Sequence, residues 1–314
     1  IWFASDQMCS KKLKAAIPLW LPFYEKRYKA LSQDTQDKLL SVSAATIDRL
    51  LKPVRVAHGR KGLGGTRPGS LLKSQIPIRT DFWDVSQPGF MEADTLAHWG
   101  NSLSGDFVWS LTMTDILTTW TENRDTGNKG AQGVVAQIQN IESSLAFDLL
   151  GFDCDNGSEF LNHHLVRYFS DHPSIQAFTR SRPYKKNDNA HVEQKNWSHV
   201  RQLFGYDRLE DQTLVAMMND LYANEWSQYQ NHFCPSMKLV SKQRINSKYY
   251  KKYDSPQTPD HRVMASDHVT DDAKAELEAV QNRLNPFILK QAIERKLRRI
   301  FQHVKVTSNV RQRI

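Results

Sequence analysis

Three carboxylates in this sequence have the surroundings of cation ligands. Asp155 opens Asp155-Asn156-Gly157-Ser158-Glu159-Phe160, where an apolar, strand-like run containing Leu149, Leu150 and Phe152 delivers the acid into a tight Asn-Gly turn. Asp94 lies within Phe90-Met91-Glu92-Ala93-Asp94-Thr95-Leu96-Ala97, a run too apolar for a surface loop. A carboxylate inside an apolar strand is costly unless it binds something. Glu193 ends Pro183-Tyr184-Lys185-Lys186-Asn187-Asp188-Asn189-Ala190-His191-Val192-Glu193 near the start of a helical pattern. Acids separated by 61 and then 38 residues suit a strand, helix, strand, helix progression that converges on one sheet edge.

The chemistry such a trio serves is phosphodiester transfer. A nucleophilic oxygen must be activated, a pentacovalent phosphate stabilised and a leaving oxygen neutralised, and two Mg²⁺ ions roughly 3.5–4 Å apart do all three. Mg²⁺ prefers hard carboxylate oxygens and keeps several waters, so few protein ligands suffice, and Mn²⁺ can replace it. In this reading Asp94 bridges both ions, Asp155 holds the first, and Glu193 reaches the second from a helix laid across the sheet. Each acid also has a plainer reading: Asp155 as a turn former, Glu193 as an exposed helix charge, Asp94 as a satisfied strand residue. Glu92, Asp115, Asp153, Glu159 and Asp188 are rival ligands. His163, His164, His191 and His199 have no paired metal spacing and read as structural, while Cys9, Cys154 and Cys234 lack any C-x-x-C spacing.

The elements that must position these acids are legible in outline. From Phe90 the texture is strand-like, with Phe107–Thr114 and Leu117–Thr121 as adjacent strands. A helix pattern over 130–146, a strand over 147–153, a helix over 159–170, a strand over 174–179 and a helix from Asn189 to about Phe204 follow. This alternation indicates a mixed sheet with helices on its faces. Trp197, Val200 and Phe204 read as the buried stripe of the last helix, and a further helix over 210–230 packs on the core.

Residues 10–55 read as helical. One short helix closes at Asp37-Lys38-Leu39-Leu40; Ser43 caps a second, Ala44 to Lys52, which Pro53 stops. Thr46 and Arg49 exposed beside buried Ile47 and Leu50 would present a helix-turn-helix reading face to a DNA groove. A basic, Gly-rich linker with Arg60, Lys61 and Arg67 follows, and 233–270 interleaves Lys, Arg, Tyr and Pro as a nucleic-acid surface or a solvated linker would. The chain ends in a helical pattern broken at Pro286.

Net charge is +8, distributed unevenly: residues 1–80 hold 15 Lys and Arg against 5 Asp and Glu, residues 81–225 hold 10 against 21, and residues 226–314 hold 17 against 8. Basic flanks around an acidic centre suit a polyanion gripped at the sides while its phosphate meets cations in the middle. Solvated faces of ordinary domains are the bland alternative. No run of about 18 apolar residues is present to span a membrane. The chain opens at Ile1 without an initiator Met or a secretory signal pattern, which reads as a fragment or a processed chain from a reducing cytoplasm.

Asp155-Asn156-Gly157-Ser158-Glu159-Phe160, then Pro183-Tyr184 and Glu193, resembles the catalytic core of bacterial insertion-sequence transposases and retroviral integrases, and Asp94 in Glu92-Ala93-Asp94-Thr95 fits their first acid. The 37 residues between the last two acids are slightly more than integrases use, and the paired His and Cys of the retroviral amino-terminal zinc module are missing, which points to the bacterial branch. The resemblance implies an α/β fold: an RNase H-like mixed five-stranded sheet flanked by helices, with an N-terminal helix-turn-helix domain and a C-terminal basic region. It divides the chain into a helix-turn-helix unit (1–55), a linker (56–79), a catalytic core (80–230), a basic Lys/Tyr/Pro-rich segment (231–270) and a C-terminal helical segment (271–314). It implies a DNA transposase or integrase that uses two Mg²⁺ or Mn²⁺ ions to cleave and transfer strands of double-stranded DNA at mobile-element ends, acting as a homo-oligomer in the bacterial cytoplasm or nucleoid. Asp94, Asp155 and Glu193 would be both metal ligands and catalytic residues; Lys185, Lys186, Lys195 and Arg201 would contact DNA near the scissile phosphate. A nuclease that only hydrolyses and an inactive transposase-derived DNA-binding protein are the alternatives.

Overall fold

The computed structural model describes residues 1–57, 85–101, 104–155, 157, 159–181, 190–245 and 248–311. Its centre is a five-stranded sheet of β1 (Phe90–Ala97), β2 (Trp109–Asp115), β3 (Thr121–Thr126), β4 (Gly151–Cys154) and β5 (Ala177–Arg180) in the order β3-β2-β1-β4-β5. β1, β2 and β3 pair antiparallel as a meander, whereas β4 adds parallel to β1 and β5 parallel to β4. Parallel neighbours need crossovers, supplied by α4 (Ala131–Glu142) and α5 (His163–Ser170). This mixed sheet with flanking helices is the RNase H-like arrangement expected above.

Period-2 alternation sorts the sheet into two unlike faces. On one, Met91, Ala93, Leu111, Met113, Phe152 and Cys154 pack against Val134, Ile138 and Ile141 of α4 and Leu165 and Phe169 of α5. Asn162 starts α5 by accepting a hydrogen bond from the Leu165 amide at 2.9 Å. The other face carries Glu92, Asp94, Ser110, Thr112, Thr114, Asn123 and Asp125. It is covered by α6 (Ala190–Lys195), a π-helical continuation (Asn196–Arg201), α7 (Gln202–Phe204), and the run of α8 (Thr213–Leu221), a π-helical turn (Tyr222–Trp226) and α9 (Ser227–Phe233). Gly89 anchors the start of β1: its φ of +113° suits glycine, and a Cβ there would lie 2.3 Å from the Asp148 carbonyl oxygen.

β3 differs from the expectation. The sequence pattern puts the second strand of the hairpin at Leu117–Thr121, yet those residues mostly form the turn, and the strand is Thr-Glu-Asn-Arg-Asp-Thr, buried throughout. Polar composition concealed it. Its central charges are paired internally: Glu122 pairs with Arg124 at 3.2 Å and accepts from Trp120 Nε1 and Ser227 Oγ, and Arg124 Nε donates to Asn140 at 2.6 Å.

The N-terminal helices are α1 (Ser10–Arg27), α2 (Gln33–Ser41) and α3 (Ala44–Ala57). Ser43 caps α3 by accepting from the Thr46 amide at 3.0 Å, as the sequence indicates. Two details are corrected. Pro53 lies inside α3 rather than ending it, and Leu50 is 68% exposed rather than buried; Ile47 alone of that pair enters a small core with Trp2, Leu13 and Ile17. The α1 helix belongs to a larger core. Trp20 is fully buried, donates from Nε1 to the Phe233 carbonyl at 3.1 Å, and meets Tyr229 and Phe287 edge to face.

The C-terminal region is more ordered than a linker. β6 (Leu239–Ile245) and β7 (Lys248–Tyr253) form an antiparallel hairpin, followed by α10 (Pro259–Met264), α11 (Asp271–Gln281) and α12 (Pro286–Arg311). Pro286 starts α12, where its missing N–H costs nothing, and α12 packs on α1, α8 and α9. Among the described residues no helix is long and apolar enough to cross a membrane.

Candidate active site

The register of β1 and β4 brings two of the three acids together. Glu92 pairs with Asp153 and Ala93 with Cys154 in the parallel ladder, so Asp94 and Asp155 are the next step along neighbouring strands, on the same face. Asp155 leaves β4 and turns at once: its Oδ1 accepts from the Gly157 amide at 2.8 Å, a local Asx turn. Glu193, exposed in the first turn of α6, comes from the helix across this face; the Val192 amide beside it donates to Glu92 Oε2 at 3.3 Å.

Electrostatics report the convergence. Burial, then repulsion by Asp155 and further by Glu159 and Glu193, pushes the Asp94 carboxyl well above the usual carboxylate range, against a hydrogen bond from the Thr95 amide. Burial, followed by Glu159, with Glu193 adding, raises Asp155 to about 6, while the Gly157 amide and Lys129 act in the opposite sense. Four carboxylates, Asp94, Asp155, Glu159 and Glu193, therefore share one electrostatic site.

Protein donors hold three of them. Asp94 accepts from the Thr95 amide at 2.8 Å on Oδ1 and from Asn196 Nδ2 at 2.6 Å on Oδ2. Glu159 is 2% exposed; Thr95 Oγ1 donates to its Oε1 at 2.6 Å, and Lys129 Nζ lies 2.7 Å from its Oε2. The carboxylate folds over Gly157, where a Cβ would lie 2.5 Å from it, so a larger residue there would displace the Glu159 carboxylate.

Among the described residues no group of three or more His, Cys, Asp and Glu side chains is closed around a point that could hold a metal ion. The donor chemistry nonetheless fits a hard divalent cation. The set is all carboxylate oxygen, and its members repel one another through a partly buried site.

Of the rival ligands, Glu159 joins the cluster. Asp115 instead closes the β2–β3 turn, accepting from Thr118 and from the Gly89 amide, and Asp153 accepts from Thr179 Oγ1 at 2.5 Å. Asp188, Lys185, Lys186, Arg60, Lys61 and Arg67 lie outside the described residues. Two expected DNA contacts turn elsewhere. Lys195 reaches back to the Thr119 carbonyl at 3.4 Å, and burial, then Lys12 and Arg262, lowers it to about 7. Arg201 donates to the carbonyls of Ala97 and Gly205 and lies over the Tyr206 ring. On α3, Thr46 Oγ1 is tied to Ser43 and Arg49, while Arg49 stays exposed.

Trp197 is also corrected: it is 56% exposed rather than core. The buried stripe runs from Val192 through Asn196 to Val200 and Leu203, and Asn196 takes the inward position because it serves Asp94. Val200 and Phe204 are buried as expected. Asn196 was open to sequence reading as a polar residue one turn after Glu193; Lys129, in a loop remote in sequence, carried no signal.

No family model matches the chain. Uncharacterized protein y4rM of Sinorhizobium fredii (strain NBRC 101917 / NGR234) is 41% identical over 263 residues, which span 82% of this chain and 74% of y4rM. The chain belongs to the y4rM family. Solved structures similar to it include the catalytic core domain of BIV integrase, with 16% identity, a TM-score of 0.35 and coverage of 57% of this chain and 96% of that one. The simian T-cell lymphotropic virus intasome in complex with PP2A regulatory subunit B56 gamma is 11% identical, with a TM-score of 0.36 and coverage of 75% and 87%. The HTLV-2 integrase catalytic core domain in complex with magnesium is 16% identical, with a TM-score of 0.33 and coverage of 48% and 90%. For this member of the y4rM family, the fold assignment stands on its own strand order and pairing.

Proposed function

We propose that this chain is a metal-dependent polynucleotidyl transferase that cleaves DNA and joins the freed 3′ end to a second strand, as a transposase or integrase does. The observation that carries the reading is the closeness of Asp94 on β1 to Asp155, just past the end of the parallel strand β4, with Glu193 presented from the helix across them. Asp94, Asp155 and Glu193 would hold two Mg²⁺ or Mn²⁺ ions, which when bound supply activation of the attacking oxygen and neutralisation of the phosphate. The chain's own residues do the rest. Asn196 orients Asp94 through its 2.6 Å hydrogen bond, and the Asp155–Gly157 turn fixes the second acid at a strand end. Exposed Arg49, with Thr46 beside it, on α3 and the basic residues Arg60, Lys61, Arg67, Lys185 and Lys186 are assigned to double-stranded DNA, and the acting species to a homo-oligomer.

The test uses supercoiled plasmid and pre-cut oligonucleotide duplexes with Mn²⁺ or Mg²⁺. Nicking and end joining are expected from the wild type, with a loss of at least about 10²-fold in Asp155→Asn while DNA binding persists. Cleavage without joining would move the assignment to a hydrolytic nuclease; activity that survives Asp94→Asn and Asp155→Asn would end it.

A further inference from the structure

Glu159 and Lys129 are the part of the acid cluster that the trio leaves unexplained. Glu159 is coupled to both aspartates by direct structure. Thr95 gives its amide to Asp94 and its hydroxyl to Glu159. Gly157 gives its amide to Asp155 and presents its bare Cα to the Glu159 carboxylate. A charge placed on Glu159 is therefore next to everything the site does. Lys129 places one there, its ammonium 2.7 Å from Oε2. The same ammonium stands 4.8 Å from the centre of the Trp109 ring, so Lys129 is gripped from two sides at the rim, with its side chain 34% exposed.

We propose that Lys129 is a tethered counter-cation of the acid cluster, which competes with divalent metal for Glu159 and so sets the metal affinity of the site. The inference rests on the metal-binding reading above and deepens it. Clustered carboxylates repel unless a positive charge is among them. A lysine fills that role with one charge, on a flexible stem that starts in the loop between β3 and α4. A divalent ion fills it with two charges and several carboxylate ligands at once. With metal bound, Glu159 would be free of Lys129 to join the ligand set, and Trp109 would keep the ammonium at the rim. Neutralising Lys129 should therefore tighten metal binding rather than weaken it, the opposite of what loss of a merely structural ion pair would do.

The experiment is calorimetric titration with Mn²⁺, supported by Mn²⁺ electron paramagnetic resonance, on the full chain and on Lys129→Met, Lys129→Arg, Glu159→Gln, the Lys129→Met/Glu159→Gln double variant and Asp155→Asn. Melting curves check that each variant is folded. Lys129→Met is expected to bind Mn²⁺ about three- to tenfold more tightly. Lys129→Arg should stay within about twofold of wild type, and Glu159→Gln should bind more weakly. In the Glu159→Gln background the Lys129→Met gain should largely vanish, which is the signature of a coupled pair. Mn²⁺ binding that Asp155→Asn abolishes but Lys129→Met leaves unchanged or weakens would overturn this inference alone. Mn²⁺ binding indifferent to Asp155→Asn would overturn the metal reading and this inference with it.

Discussion

At the scale of the residue, the acid cluster is a liability to the fold. A carboxylate whose pKa is raised on folding binds its proton more tightly in the native state than in the unfolded one. For Asp155, raised to about 6 by burial and then by Glu159, that contribution is present at low pH and is lost as pH climbs through 6. At neutral pH the charged form opposes folding. Asp155→Asn keeps an acceptor for the Gly157 amide and removes the charge, so it should stabilise the chain at pH 7 by on the order of 1–2 kcal/mol while abolishing activity. Urea unfolding of both proteins at pH 7 and pH 5 checks this. The gap should narrow at pH 5, and a variant less stable than wild type at both pH values would contradict the account. Under the proposed function such a charge persists because metal ligands must be ionised when the cation arrives.

At the scale of the element, α1 shows how far a local reading reaches. Its helical pattern is visible in the sequence, but its packing into the rest of the chain is not. Trp20 enters a core built from α8, α9 and α12, residues more than 190 positions away, and donates its indole N–H to Phe233. Trp20→Ala should therefore lower global stability by about 3–5 kcal/mol, shifting the single urea transition of the whole chain. Limited proteolysis offers the contrary outcome: release of residues 1–57 while the remainder melts as wild type would mean that α1 is an independent arm. β3 teaches the complementary lesson. Its polar run Thr121 to Thr126 is buried because helices lie over the sheet, and Glu122 and Arg124 find partners in Ser227 and Asn140 rather than in water.

At the scale of the whole molecule, packing of α1 against α12 gathers basic residues from both ends of the chain into one body around the acidic sheet. Arg295, Arg298 and Arg299 are exposed on α12, and Lys26 and Arg27 at the end of α1. If these flanks grip phosphates, replacing the three α12 arginines with alanine should flatten the dependence of log affinity on log salt by up to about one unit per arginine. Binding isotherms for a DNA duplex between 50 and 200 mM salt, roughly the range over which counterion release dominates, provide the measurement. An unchanged slope would place the DNA on another face.

The identity and order of the acids were readable in the chain itself. Parity within β1 is local as well: residues two apart on a strand share a face, which groups Glu92 with Asp94, whereas Asp155 joins Asp153 only if strand geometry continues past Cys154, where β4 ends. The capping of α3 by Ser43 is local in the same sense. What the chain could not disclose was register. Whether Asp94 meets Asp155 depends on how strands 61 residues apart slide against each other, and a shift of one residue would have turned one of them to the opposite face. The same holds for Asn196 on Asp94, Lys129 on Glu159, and Lys195 turning back to Thr119. Those contacts cross the sheet or its rim, and no local periodicity encodes them. Sequence supplied the chemical groups and their faces; non-local packing decided which of them share a site.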